Sequence, residues 1–285
     1  AMGGVEFGHA NGLPTVSLSH ASGATALLYI YAAHLASWKT ADGDEQLFMS
    51  SKTEYGGGKA MRGGVPICWP QFSDRGLGKR HGIVRASDRW VVTRTATEPV
   101  PCVELCYSDA GFKLFYLVSL DGPDSCTTTL TALNTAGEPL EFTGALHTYL
   151  RVSSAVGATV RGLQGVSYED NCEAMGGKLG EQEDAEVLVT GEELDRVYLD
   201  TPSAAYVIDG ERALRVIKQG FPDAVVWNIG EAKAGGLKDL GEGEWQRYVC
   251  LEAAAIGKPV RVAPNSAWVG SQTFTKLKAV DVCLE

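Results

Sequence analysis

Two residues in apolar runs have side chains suited to moving protons. Over residues 140–152, strand alternation puts Leu140, Phe142, Leu146 and Leu150 on one face and Glu141, Thr143, His147, Tyr149 and Arg151 on the other. His147 therefore stands in a polar row behind which the core must lie. Over 246–256, Tyr248, Cys250, Glu252, Ala254 and Ile256 share one face, while Val249, Leu251, Ala253 and Ala255 share its reverse. Glu252 is left among apolar or small neighbours on both sides. An imidazole titrates near neutrality unaided, and a carboxyl raised by desolvation would join it there. With cations nearby to hold an anion, such a pair suits general acid–base catalysis without metal or covalent intermediate. The same spacing accommodates an incidental histidine on a solvated strand face and a glutamate on an edge strand, and it does not choose between them.

The cations are concentrated in residues 59–89, where Lys59, Arg62, Arg75, Lys79, Arg80, Arg85 and Arg89 outnumber Asp74 and Asp88, inside a chain of formal net charge -10. An acidic protein is repelled by nucleic acid and by anionic membrane, so this local inversion of sign points to a small anion such as a phosphate or carboxylate. Arg62-Gly63-Gly64-Val65-Pro66 and His81-Gly82-Ile83-Val84-Arg85 bring glycine-rich backbone close to whatever the arginines hold. Solitary cations on solvated loops are the plainer alternative. Gly56-Gly57-Gly58-Lys59-Ala60 lacks the Ser or Thr after lysine that a phosphate loop requires, and no GxSxG elbow occurs.

These groups have to be positioned by strands. Apolar and β-branched runs of strand length recur at 15–20, 25–31, 90–97, 103–107, 113–120, 126–134, 140–152, 213–219, 224–228, 246–256 and 267–276, with almost no helical periodicity. Turn-forming clusters at 121–123, 136–139 and 256–259 suit antiparallel hairpins and meanders. No linker or repeat interrupts the 285 residues, which predicts one domain over 1–285 with a substantial core, apart from Ala1 and Met2, which read as the remnant of an expression tag. Seven scattered cysteines without a CxxC pair predict reduced core residues, no structural metal and a cytoplasmic setting. The acidic run 181–186 reads as a solvated loop. The apolar stretch 24–33 is about half the ~20 residues a membrane span needs and reads as an early strand.

Six segments in order, Arg62-Gly63-Gly64-Val65-Pro66-Ile67-Cys68-Trp69-Pro70-Gln71-Phe72, His81-Gly82-Ile83-Val84-Arg85, Ala145-Leu146-His147-Thr148-Tyr149, Asp195-Arg196-Val197-Tyr198, Val226-Trp227-Asn228 and Tyr248-Val249-Cys250-Leu251-Glu252, resemble the glucose-6-phosphate 1-epimerases of the aldose 1-epimerase superfamily. The resemblance implies an all-β fold, a large antiparallel β-sandwich of the galactose mutarotase type with its site on a concave sheet face. It implies interconversion of the α and β anomers of a small-molecule hexose 6-phosphate. A monomer without cofactor is the expectation, and the acidic charge predicts neither nucleic acid nor membrane as a partner. In that family the position of His147 is the acid towards the ring oxygen and that of Glu252 the base on the anomeric hydroxyl. Arg62, Arg85 and Asp195 match substrate-binding positions. Arg80 departs from the pattern, since the residue before the His-Gly motif is often a glutamine; an added phosphate contact is the expectation for Arg80, and His81 either contacts substrate or braces the loop. A mutarotase of unphosphorylated aldoses and a non-catalytic sugar-phosphate sensor are the alternatives.

Overall fold

The computed structural model describes residues 3–173 and 177–282; Ala1, Met2 and Cys283 lie outside them. The hairpin of Phe112–Gly122 and Ser125–Asn134 shows how the sheets form. Every second residue of Ser125–Asn134 is buried, and the intervening face carries Thr127, Thr129 and Thr131, so a period of two divides core from surface. Around this hairpin lies a nine-stranded antiparallel sheet in the order Glu186–Leu188, Thr159–Arg161, Ala204–Asp209, Arg212–Gln219, Ala267–Lys278, Ser125–Asn134, Phe112–Gly122, Cys102–Asp109, Val91–Ala96.

A second antiparallel sheet runs Lys178–Glu181, Ser167–Asp170, Leu194–Tyr198, Asp223–Asn228, Tyr248–Val262, Leu140–Leu146, Ile67–Cys68, with Tyr149–Arg151 also paired to Tyr248–Val262. Val103, Leu105, Tyr116 and Val118 of the first sheet share one apolar core with Val226, Val249, Leu251 and Ala253 of the second, which makes the molecule a β-sandwich. A four-stranded sheet, Gly4–Ala10, Leu13–Ser19, Thr25–Tyr29 and His34–Lys39, adds Val16, Leu28 and Leu35 to that core. The fold class read from the sequence is thus the one observed.

Three local readings need correction. Residues 256–259 do not turn. The strand Tyr248–Val262 runs through them, with a bulge where Phe142 pairs with Val260 but Gly144 pairs with Ala255. Both the Ile256 and Gly257 N–H groups donate to Asp223 Oδ2, at 2.7 and 2.8 Å, so a buried carboxylate replaces the missing ladder bonds. Residues 136–139 lead from one sheet to the other instead of closing a hairpin. The run 140–152 is two strands, Leu140–Leu146 and Tyr149–Arg151, broken at His147 and Thr148. Leu194–Tyr198 and Ala204–Asp209 were not among the expected strands, and neither were Gly4–Ala10 and His34–Lys39.

The stretch 24–33 forms the strand Thr25–Tyr29 and a short 3-10 turn, and among the described residues no helix is long and apolar enough to cross a membrane. All six described cysteines are unpaired, five of them buried.

Candidate active site

The strand carrying Glu252 is buried from Tyr248 to Ile256 on both faces. Val249, Leu251, Ala253 and Ala255 face the sandwich core. Tyr248 and Cys250 pack in one small cluster on the reverse, and Ala254 and Ile256 in another, with Glu252 between them. The alternation therefore assigns the faces correctly, but the reverse face is not a solvated one. Loops cover it, and His147 is only 7% exposed and Glu252 1%.

His147 lies where the chain passes from Leu140–Leu146 to Tyr149–Arg151, and its backbone N–H donates to Pro66 O at 2.9 Å. Its ring stacks on Tyr149, with centroids 4.8 Å apart and planes 8° from parallel, and meets Trp227 edge-on at 5.7 Å. Two aromatic walls so fix the imidazole. His147 Nδ1 is 3.3 Å from Glu252 Oε1, close but not aligned for a hydrogen bond, and neither Glu252 oxygen has a hydrogen-bond partner among the described residues.

Burial and the positive charges of Arg85 and Arg62 hold the His147 imidazole well below its ordinary range. Burial, with the nearby Asp195 carboxylate, pushes Glu252 well above the usual carboxylate range, against the opposing pull of Arg85. Both shifts favour the uncharged forms, so near neutrality the two groups share one proton.

Around this pair lies a cavity of about 390 Å³, within the roughly 300–1,000 Å³ typical of small-molecule sites. All seven residues singled out from the sequence line it: Arg62, Arg80, His81, Arg85, His147, Asp195 and Glu252. Asp195 reaches it from Leu194–Tyr198, where it pairs across to Trp227, itself paired to Cys250. Its carboxyl is raised by burial, against a hydrogen bond from Asn171. His81 Nδ1 accepts the Ser73 N–H at 3.2 Å, and the Cys68 thiol lies 3.3 Å from the same nitrogen, so the ring's proton is on Nε2. Burial keeps this imidazole neutral, far below its ordinary range.

The His-Gly motif has a steric reason. Gly82 has φ +75°, and a Cβ there would fall 1.7 Å from Trp69 O, so only glycine lets the loop carrying His81 and Arg85 close onto the strand end at Ile67–Cys68.

The arginines have different surroundings. Arg62 makes a two-pronged contact to Asp239, Nε and Nη2 each at 3.2 Å, and donates from Nη1 to Tyr149 Oη at 2.9 Å. The Tyr149 oxygen and Asp239 hold its guanidinium firmly charged. Arg80 is exposed, with only a 3.7 Å contact to Asp74. Arg85 has no carboxylate partner among the described residues. Arg75 and Arg89 leave the cluster, pairing with Glu169 and Asp109, so the basic stretch is not one patch.

Phe72 and Trp227, which the sequence marks only as members of the matching segments, also line the cavity, as do Ser73 and Leu237, to which it gave no role, and Glu193, which reads from sequence as part of a solvated acidic stretch. Glu193 was detectable, two residues before Asp195 and so on the same face of an extended chain. Nothing local marks Asp239.

Residues 14–275 match the aldose 1-epimerase family. A protein of Cenchrus ciliaris, provisionally named a glucose-6-phosphate 1-epimerase, is 36% identical over 280 residues, covering 91% of this chain and 84% of its own. A protein of Escherichia coli strain K12 with the same provisional name is 31% identical over 249 residues, covering 81% and 79%. Among solved structures, a provisionally named mutarotase from Salmonella typhimurium superposes with a TM-score of 0.85 at 26% identity, over 96% of this chain and 94% of its own.

Proposed function

We propose that this chain, which belongs to the aldose 1-epimerase family, interconverts the α and β anomers of hexose 6-phosphates, glucose 6-phosphate foremost. The observation that carries the reading is the His147–Glu252 pair, 3.3 Å apart and buried at a cavity that Arg62, Arg80 and Arg85 also line. Opening a cyclic hemiacetal requires a proton to reach the ring oxygen while another leaves the anomeric hydroxyl, so an acid and a base must reach the two oxygens together.

With the shared proton on His147, the imidazolium protonates the ring oxygen and the Glu252 carboxylate takes the hydroxyl proton. The C1–O5 bond breaks and the open-chain aldehyde forms. The pair is then neutral imidazole and protonated carboxyl, the state that its buried surroundings favour. Rotation about C1–C2 turns the other face of the aldehyde towards the C5 hydroxyl. Reclosure returns a proton from Glu252 to the carbonyl oxygen while His147 takes the C5 hydroxyl proton. The arginines suit a phosphate dianion, since guanidinium donors match its oxygens in pairs, and the names given to the relatives in Cenchrus ciliaris and Escherichia coli point to the same substrate.

Two-dimensional exchange NMR on equilibrated glucose 6-phosphate, with glucose as comparison, tests the reading. Acceleration of α–β exchange for the phosphate ester is expected, and loss of about 10²–10⁴-fold in the His147→Ala and Glu252→Gln proteins. Equal acceleration of both sugars would leave an aldose mutarotase without phosphate selectivity. Variants as fast as the wild type would overturn the roles of the pair.

A further inference from the structure

A second cavity, of about 330 Å³, adjoins the first and shares Arg62 and Arg85 with it as a common wall. The two differ in charge. In the cavity holding the His147–Glu252 pair, three arginines face the three carboxylates of Glu193, Asp195 and Glu252. In the second, the five cations Lys59, Arg62, Lys79, Arg85 and Lys238 face only Glu54 and Asp239.

Those two acids are engaged, Glu54 by Lys59 and Asp239 by Arg62. Arg85, Lys79 and Lys238 have no carboxylate partner among the described residues, and all three line this one cavity. Converging like charges repel one another, and in a chain of net charge -10 there is no shortage of acids to neutralise them. Their convergence is explained by an anion that enters from outside.

We infer that the second cavity binds a phosphoryl dianion, and that Lys79 and Lys238, with the shared arginines, receive the 6-phosphate of a sugar whose ring lies in the first. The inference rests on the proposed hexose-6-phosphate reading and adds to it the residues that set preference for the ester. It also divides the adjacent Lys79 and Arg80. Lys79 faces the phosphoryl cavity, and Arg80, the residue that departs from the family pattern, faces the ring cavity.

The test is a Lys79→Ala/Lys238→Ala double variant, both positions being exposed. Exchange NMR over a range of glucose 6-phosphate concentrations should show KM raised by about tenfold or more with kcat little changed, because charge contacts remote from C1 act equally on ground and transition states. Inorganic phosphate should inhibit the wild type competitively and the double variant at least tenfold more weakly. If the double variant keeps wild-type KM and phosphate inhibition while Arg85→Ala raises KM, the lysine cavity is not the phosphoryl site, and the reading of a phosphate-ester epimerase stands. If the wild type itself shows no preference for glucose 6-phosphate over glucose, that reading fails and the inference fails with it.

Discussion

A residue's role here depends on charges that its own sequence neighbours do not supply. Strand alternation placed His147 in a polar row and Glu252 among apolar neighbours without choosing a role for either, and glycine-rich runs marked Arg62 and Arg85; it was the ordered family motifs that singled the four out together. Asp239 was not legible. It meets Arg62 across 177 residues of chain, and no local pattern announces such a pairing. The electrostatics of the pair make a prediction at this scale. Arg85 lowers the proton affinity of both His147 and Glu252. On the proposed mechanism the pair holds a single proton, so the acid limb of kcat/KM would mark gain of a second proton and the basic limb its loss. Removing the guanidinium in Arg85→Ala raises both affinities, and both limbs should move to higher pH, by about one unit. The ionisation of the substrate phosphate is common to both proteins and cancels in the comparison. Limbs that stay in place while KM rises would reduce Arg85 to an anion contact.

Among the elements, the central strand Tyr248–Val262 was half foreseen. Its apolar first part is recognisable from periodicity, but Gly257 and Pro259 carry turn chemistry, and the extension is supported from outside the strand, by the Asp223 carboxylate on the Ile256 and Gly257 N–H groups and by pairing of residues 260–262 with 140–142. Asp223 also accepts the Asp200 N–H at 3.0 Å, so a single side chain satisfies three backbone donors. Asp223→Ala should cost about 1–3 kcal/mol in urea denaturation, since it strands the buried Ile256 donor, while Gly257 and Asp200 are exposed and can turn to water. A loss below about 1 kcal/mol would show that the bulge holds itself. The strands that sequence missed have related causes. Leu194–Tyr198 is short and interrupted by Asp195 and Arg196, whose place in a sheet is decided by partners on either side rather than by propensity.

For the whole molecule, three of the five histidines, His34, His81 and His147, are buried, and burial lowers all three, His34 to about 3. The unfolded chain binds protons at these positions from about pH 6.5 downwards while the folded chain does not, so folding stability falls as pH drops through 6.5 towards the folded values. Glu252, raised by burial, opposes them, because the folded chain keeps a carboxyl proton that the unfolded chain has lost above about pH 4.3. Urea denaturation at pH 6.5, 6.0 and 5.5 should show the decline, with a slope approaching ~2 protons. A flat profile across that interval would contradict it. The doubly covered sheet has a further consequence, in time rather than energy. Amides flanking Glu252 and His147 are shielded on both sides, so their hydrogens should exchange with solvent only through openings of the entire sandwich, whereas the exposed loop bearing Lys79 and Arg80 exchanges through local ones. On the proposed function, the proton-transferring pair would then be carried by slow-exchanging backbone, and adjustment on sugar entry would fall to the cation-bearing loops.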